Sequence, residues 1–277
     1  MDEVARYNRD RWDELVRAGV KYGRPLLDLD SNMARQRYDR YGIIGDVKGK
    51  SVLCLAGGGG QQSAAFGLLG AKVSVLDFSG AQLEKDREAA VHYGLETETV
   101  QGDMRDLSHF ADDSFDVVYQ TYSINFVPDA DTVLDEVSRV TRADGIYHLG
   151  CANPMTHAVD DEAWDGNGYP LKAPYVEGAE IIDNSGYWDV QGDDGTSRRI
   201  KGPREFRHTL ATLMSGLIDR GFVLLRVMET TVNGRPIPDG ADLEPGTWEH
   251  FESVAALGLE IWTSYRPNAY AGLNLPQ

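Results

Sequence analysis

The chain has 277 residues, 42% of them in the hydrophobic set, enough for one large core with room for a cap. Acidic residues number 44 against 27 basic ones, and the net charge of −17 opposes nucleic-acid phosphates and anionic membrane surfaces as partners. No apolar run approaches the ~20 residues of a membrane span. The charged start Met1-Asp2-Glu3-Val4-Ala5-Arg6 lacks the apolar stretch of a signal peptide, and the only cysteines, Cys54 and Cys151, fall in predicted buried strands. A cytoplasmic protein without disulfides or a metal cluster is therefore expected.

Residues 1–48 read as a helical leader. Val4, Tyr7, Trp12, Leu15 and Val16 recur at roughly helical spacing over 2–18, and a second short helix follows Asp30 or Ser31 and runs to Tyr41. The leader has too few apolar residues to fold alone, so it is expected to pack over the remainder, residues 49–277.

From Ser51 the pattern becomes regular. Strands are predicted at 51–56, 72–77, 97–101, 115–120 and 145–150, with helices at 61–69, 80–93 and 130–141 and a single helical turn within 103–114. Alternation of this kind predicts an α/β fold with a parallel sheet and helices on both faces. Residues 151–203, rich in Gly, Pro, Asp and aromatics, break the rhythm and read as an inserted cap or lid. Asp160-Asp161-Glu162 within it reads as a solvated loop. A helix from Phe206 to Arg220, a strand from Phe222 to Met228, a polar loop over 229–248 and a last strand over 257–265 complete the chain.

Candidate chemistry gathers at successive strand ends, where open α/β sheets bind ligands. Val52-Leu53-Cys54-Leu55 is an apolar run suited to a strand buried on both faces, and it enters Ala56 and four glycines, Gly57 to Gly60, followed by Gln61 and a helix. Such a turn lets a ligand approach backbone closely. Asp77, followed by Phe78, ends the second strand, where a carboxylate accepts ribose hydroxyls; capping the next helix is its simpler alternative use. Asp103-Met104 ends the third strand, with a carboxylate and a thioether suited to an adenine ring. Gln120 and Tyr122 lie at the end of the fourth, near the reacting end of a cofactor. The glycines miss the third small position of G-x-G-x-x-G, and no Gly-Lys-Ser/Thr follows them.

The run from Val52 to Gly60 resembles the first motif of class I S-adenosylmethionine-dependent methyltransferases, although Cys54 and Ala56 depart from it. Phe115 to Tyr119 with Phe126-Val127-Pro128-Asp129 resembles their fourth-strand motif, and Val133 to Gly145 their helix and turn before strand five. The resemblance spans about residues 50–150; Asn153-Pro154, Phe206 to Leu210 and Gly221-Phe222 narrow it to a bacterial and archaeal group. It implies a Rossmann-like seven-stranded sheet ordered 3-2-1-4-5-7-6, with 257–265 as the antiparallel strand between five and six. It also implies S-adenosyl-L-methionine held by Ala56, Gly57, Gly58, Gly60, Gln61, Asp77, Phe78, Asp103, Met104, Gln120 and Tyr122.

The expected activity is transfer of the methyl group to a small molecule. His157, His208 and Tyr122 are candidates for a base, each with plain packing or solvation as the simpler reading. Tyr7, Trp12 and Tyr22 from the leader, and Trp164, Tyr175 and Trp188 from the insertion, are candidates for an acceptor-pocket wall or for ordinary packing of the cap. An NAD-dependent oxidoreductase, or a methyltransferase fold serving cyclisation or cofactor binding alone, is the rival reading. Nucleic-acid amino methylation is disfavoured because Gln120-Thr121-Tyr122-Ser123 stands where Asn/Asp-Pro-Pro-Tyr would be expected. A homo-oligomer is compatible with all of these readings.

Overall fold

The computed structural model describes residues 1–270 except 158, 161–162, 172, 182–185, 192–195, 232–234, 238 and 240–242. Asp161 and Glu162, assigned above to a solvated loop, lie outside the described residues. The leader forms α1 (Glu3–Arg17), a 3-10 turn at Lys21–Gly23 and α2 (Ser31–Tyr38). The regular region supplies β1 (Ser51–Leu55), α3 (Gln62–Leu68), β2 (Lys72–Asp77), α4 (Gly80–Tyr93), β3 (Thr97–Gln101), β4 (Phe115–Thr121), α5 (Ala130–Val140) and β5 (Thr141–Ala152). The cap adds β6 (Glu180–Ile181), β7 (Tyr187–Gln191), β8 (Ser197–Lys201) and β9 (Glu205–Phe206). The chain then closes with α6 (Leu210–Asp219), β10 (Phe222–Thr230), α7 (Trp248–Ala255) and β11 (Gly258–Tyr265).

Seven strands form one sheet in the order β3-β2-β1-β4-β5-β11-β10, and β11 runs antiparallel to both of its neighbours. This is the order 3-2-1-4-5-7-6 that the resemblance implied. The unbroken apolar run of β1 is buried throughout because helices cover both faces. Leu53 and Leu55 face one core with Val133, Leu134 and Val137 of α5 and Leu213 and Leu217 of α6. Val52 and Cys54 face the other core with Ala34 and Tyr38 of α2, Phe66 of α3 and Leu83 of α4. Asp2, Asp30, Ser79, Asp129, Thr209 and Thr247 each cap a helix, a side-chain oxygen accepting from a first-turn amide.

The leader packs over the strand ends. Trp12, Leu15, Val16 and Val20 share a cluster with Ala81 of α4, Phe126 after β4, and Val190 and Ile200 of the β7–β8 hairpin. Asn8, wholly buried, donates to the carbonyls of Phe126 and Arg204 and accepts from the Arg204 amide, joining leader, sheet rim and cap.

Four local expectations are corrected. Phe206 belongs to a β6–β9 pair, and the helix begins only after the Thr209 cap, because Arg207 and His208 bind carbonyls of the surrounding loops. Residues 103–114 form hydrogen-bonded turns, closed by Asp106 N–H to Asp103 and Phe110 N–H to Leu107, with no helix among them. Strand β5 begins at Thr141 rather than at 145. An unanticipated helix, α7, follows the loop after β10; its signal was Thr247 before Trp248, Phe251 and Ala255 at helical spacing. Both cysteines are free and buried, and among the described residues no helix is long and apolar enough to cross a membrane and no metal-binding cluster occurs. Leu134, fully buried between α5 and the sheet, offers a check on the core: Leu134→Ala should cost about 2–5 kcal/mol in a guanidinium titration, with the unfolding slope unchanged.

Candidate active site

The site grows from the exit of β1. Ala56 is left-handed at φ 47°, and Gly58, Gly59 and Gly60 follow at 63°, 73° and 81°. A side chain at Gly59 would strike Gly23 and Gln82, and one at Gly60 would lie 2.6 Å from the Lys85 carbonyl. The turn is thus threaded between the leader and α4, and only glycine meets both the dihedral and the contact.

Two buried carboxylates fix it. Asp86 of α4 accepts from Gly60 N–H at 2.9 Å and from Ser63 Oγ at 2.6 Å. Asp77 accepts from Ser79 N–H at 2.8 Å and from the Gly58 amide. Burial pushes the carboxyl of Asp77 up to about 7 and that of Asp86 up to about 6. Ser79 itself caps α4, so the Asp77 carboxylate is left facing the turn and the cleft.

That cleft is lined by Ala56, Asp77, Phe78, Gly102, Asp103 and Met104, with Ala5 of α1 and Phe126 closing it. Arg105 grips Asp103 through Nε at 3.0 Å and Nη2 at 2.7 Å and reaches Asp2 with Nη1 at 2.7 Å. The start of α1 is therefore lashed to the cleft wall. Met104 is buried, its sulfur accepting from Gln120 Nε2 at 3.3 Å. Gln120 is wholly buried, bound also to Ser123 and Tyr147, so it reaches the cleft through Met104. Gln61 donates to the Arg24 carbonyl at 2.9 Å, holding the leader over the glycines.

The three proposed bases are separated. His208 is buried, Nδ1 facing Glu177 at 2.7 Å and Nε2 the carbonyls of Ile124 and Val127 at 3.0 Å each. His157 faces Glu205 at 3.2 Å, and its carbonyl accepts from Arg207. Tyr122 leaves β4 at φ 49°, its burial driving the hydroxyl far above its usual range. Among the aromatics, Trp12, Tyr22 and Trp188 converge edge to face, Trp12 to Trp188 at 5.5 Å and Tyr22 to Trp188 at 6.2 Å. Tyr7 sits beside them, donating to the Gly202 carbonyl at 3.3 Å. Trp164 packs elsewhere, on Tyr169 and His250, and Tyr175 lies under Arg207 with its hydroxyl accepting from Leu210 N–H. Ala5, Gly102, Arg105 and Phe126 were missed as cleft residues; Phe126 lay inside a quoted motif, whereas nothing local marked Ala5 or Asp86.

A methyltransferase-domain family model matches residues 53–149. The methyltransferase YbaJ of Bacillus subtilis is 36% identical over 236 residues, covering 81% of this chain and 89% of that protein. This chain belongs to the class I S-adenosylmethionine-dependent methyltransferases. The methyltransferase GfsG of Streptomyces halstedii is 34% identical over 49% of this chain and 53% of its own. A solved S-adenosylmethionine-dependent methyltransferase of Mesorhizobium loti shares the fold at a TM-score of 0.59 and 20% identity, over 86% of this chain and all of that one.

The cofactor of this methyltransferase is S-adenosylmethionine, and the dinucleotide reading gives way. The residues present suit that group: Asp77 keeps lone pairs for hydroxyl donors, Met104 offers a thioether to a ring, and the left-handed glycines bare the backbone. The cleft measures about 10 Å³, room for a single water.

The raised carboxyl of Asp77 has a definite sign. Its contribution to stability is present below the ordinary value of 3.8 and is lost as pH rises toward about 7. Asp77→Asn should therefore raise the melting temperature of the cofactor-free protein at pH 8 while weakening S-adenosylhomocysteine binding about tenfold or more, by calorimetry. Hydroxyl donors favour the ionised carboxylate, so wild-type affinity should rise between pH 6 and 8 and that of Asp77→Asn should be nearly flat.

Proposed function

We propose that this methyltransferase methylates a small-molecule acceptor. The observation that carries the reading is the roof over the strand ends: α1, the Lys21–Gly23 turn and the β7–β8 hairpin meet at Trp12, Tyr22 and Trp188 above the glycine turn. Such a roof covers the strand ends where a nucleic acid would need an open basic groove, and the charge of −17 agrees. Incubating the protein with methyl-labelled cofactor and fractions of a metabolite extract tests the reading: label should appear in a small molecule, and label only in macromolecules would overturn it.

The cofactor supplies a methyl group already activated by its sulfonium, so the protein's work is positioning and exclusion of water. Asp77 and the Asp103–Arg105 pair would hold the nucleoside end, and the glycine turn pinned by Asp86 would hold the amino-acid end. The leader, tied down through Gln61, Asn8 and Arg105, would seal the site after the cofactor enters.

His208 is assigned to holding the rim, since both ring nitrogens are already engaged. His208→Gln should lower stability by about 1–3 kcal/mol while leaving the shape of the pH–rate profile unchanged.

A further inference from the structure

Of α1 only Ala5 lines the cofactor cleft, yet the polar side chains of α1 and its cap are bonded to three of the cleft's walls. Asn8 donates to the carbonyl of Phe126 at 2.9 Å. Asp2, the cap, accepts from Ala5 N–H at 2.9 Å with Oδ1 and from Arg105 Nη1 at 2.7 Å with Oδ2. Asp13 Oδ1 accepts from Ser79 Oγ at 2.6 Å and from Ala81 N–H, in the first turn of α4, at 3.2 Å. Ser79 N–H in turn donates to Asp77 at 2.8 Å. Asp2, Asp13, Ser79 and Arg105 do not themselves line the cleft; they stand behind the two carboxylates that do.

The ties decide what each carboxylate has left to offer. Asp103 Oδ1 accepts both the backbone N–H and the Nε of Arg105 at 3.0 Å each, and Oδ2 accepts Nη2 at 2.7 Å. A carboxylate has about four lone-pair sites, so a single one remains free, on Oδ2. The forked contact fixes the plane of the carboxylate as well as its distance, and both side chains are largely shielded, at 12% and 16% exposure. Arg105 also holds the Asp2 carboxyl down to about 2, with the Ala5 amide adding to the effect, so their ion pair is intact at neutral pH. At the other carboxylate, the wholly buried Ser79 is held at both ends, its hydroxyl by Asp13 and its amide by Asp77. The seat of α1 therefore bears on the position of Asp77.

We propose that Arg105 and Asp13 are positioning residues for the cofactor: Arg105 aims the free lone pair of Asp103 at a donor on the base, and Asp13, through Ser79, sets Asp77 for the ribose hydroxyls. The proposal rests on the assignment of Asp77 and Asp103 to the nucleoside end made above. Each tie serves one part of the nucleoside, so cutting it costs recognition of that part and spares the other. Lysine at 105 keeps the charge but is a point donor that cannot reproduce the fork. Asparagine at 13 keeps a side-chain oxygen able to accept from Ser79 and Ala81.

The test is calorimetric titration with three ligands: S-adenosylhomocysteine, S-inosylhomocysteine, which carries an oxygen in place of the exocyclic amine, and the 2′-deoxy analogue of S-adenosylhomocysteine. Wild type should prefer the first over each of the others by about tenfold, the cost of a lost hydrogen bond to a charged group. Arg105→Lys should remove most of the base preference and keep the ribose preference. Asp13→Ala should do the reverse, and Asp13→Asn should restore the wild-type pattern. Ser79→Ala cuts the same bond from its other side and should match Asp13→Ala, which covers the case in which that variant does not fold. Both preferences falling together in Arg105→Lys or Asp13→Ala would make α1 a general brace and overturn the proposal, as would preferences unchanged from wild type. Wild type binding all three ligands alike would overturn the assignment of Asp77 and Asp103 along with it.

Discussion

The structure depends on a short piece of left-handed backbone held in place by buried carboxylates. From Ala56 to Gly60 the chain reverses inside a space bounded by Gly23 of the leader and Lys85 of α4, where added side chains would collide. Asp86 holds one end of the reversal through Gly60 and Ser63, and Asp77 holds the other through Gly58. Both acids pay for their burial with a raised proton affinity, which is the cost of keeping hydrogen-bond acceptors beside a backbone that must stay open to a ligand. Everything else at the rim is referred to this turn.

The leader illustrates how a marginal segment acquires a role. Its apolar residues are too few for a core of their own, yet Trp12, Leu15, Val16 and Val20 complete one shared with α4 and the β7–β8 hairpin. Polar ties at Asn8, Gln61 and Arg105 then set its height above the strand ends. Apolar burial supplies the adhesion and the hydrogen bonds supply the register.

A shared fold does not by itself fix the reaction. What distinguishes one such protein from another lies in the groups at the rim. Here Thr230, the last residue of β10, and Tyr122, just past β4, meet at Gly258.

The sheet was legible because its signals are local. Uninterrupted apolar runs such as Val52 to Leu55 mark strands covered on both faces, capping residues such as Ser79 mark helix starts, and four glycines after a strand mark a turn. The helix α7 and the late start of α6 were missed because two turns of periodicity after a polar loop are a weak signal, and because Arg207 and His208 serve distant loops that their neighbours do not announce. The cofactor was likewise within reach of sequence, through the resemblance of the runs around β1 and β4 to methyltransferase motifs, with Asp77 ending β2 and Asp103-Met104 just past β3. The company kept by the other side chains was decided only by tertiary structure. Gln120 turned inward to Met104, His208 became a brace, Trp164 and Tyr175 went elsewhere, and Thr230 came to meet Tyr122 at Gly258. Local sequence sets dihedrals and faces; which distant groups meet depends on how the covered faces pack, and that is a property of the whole chain.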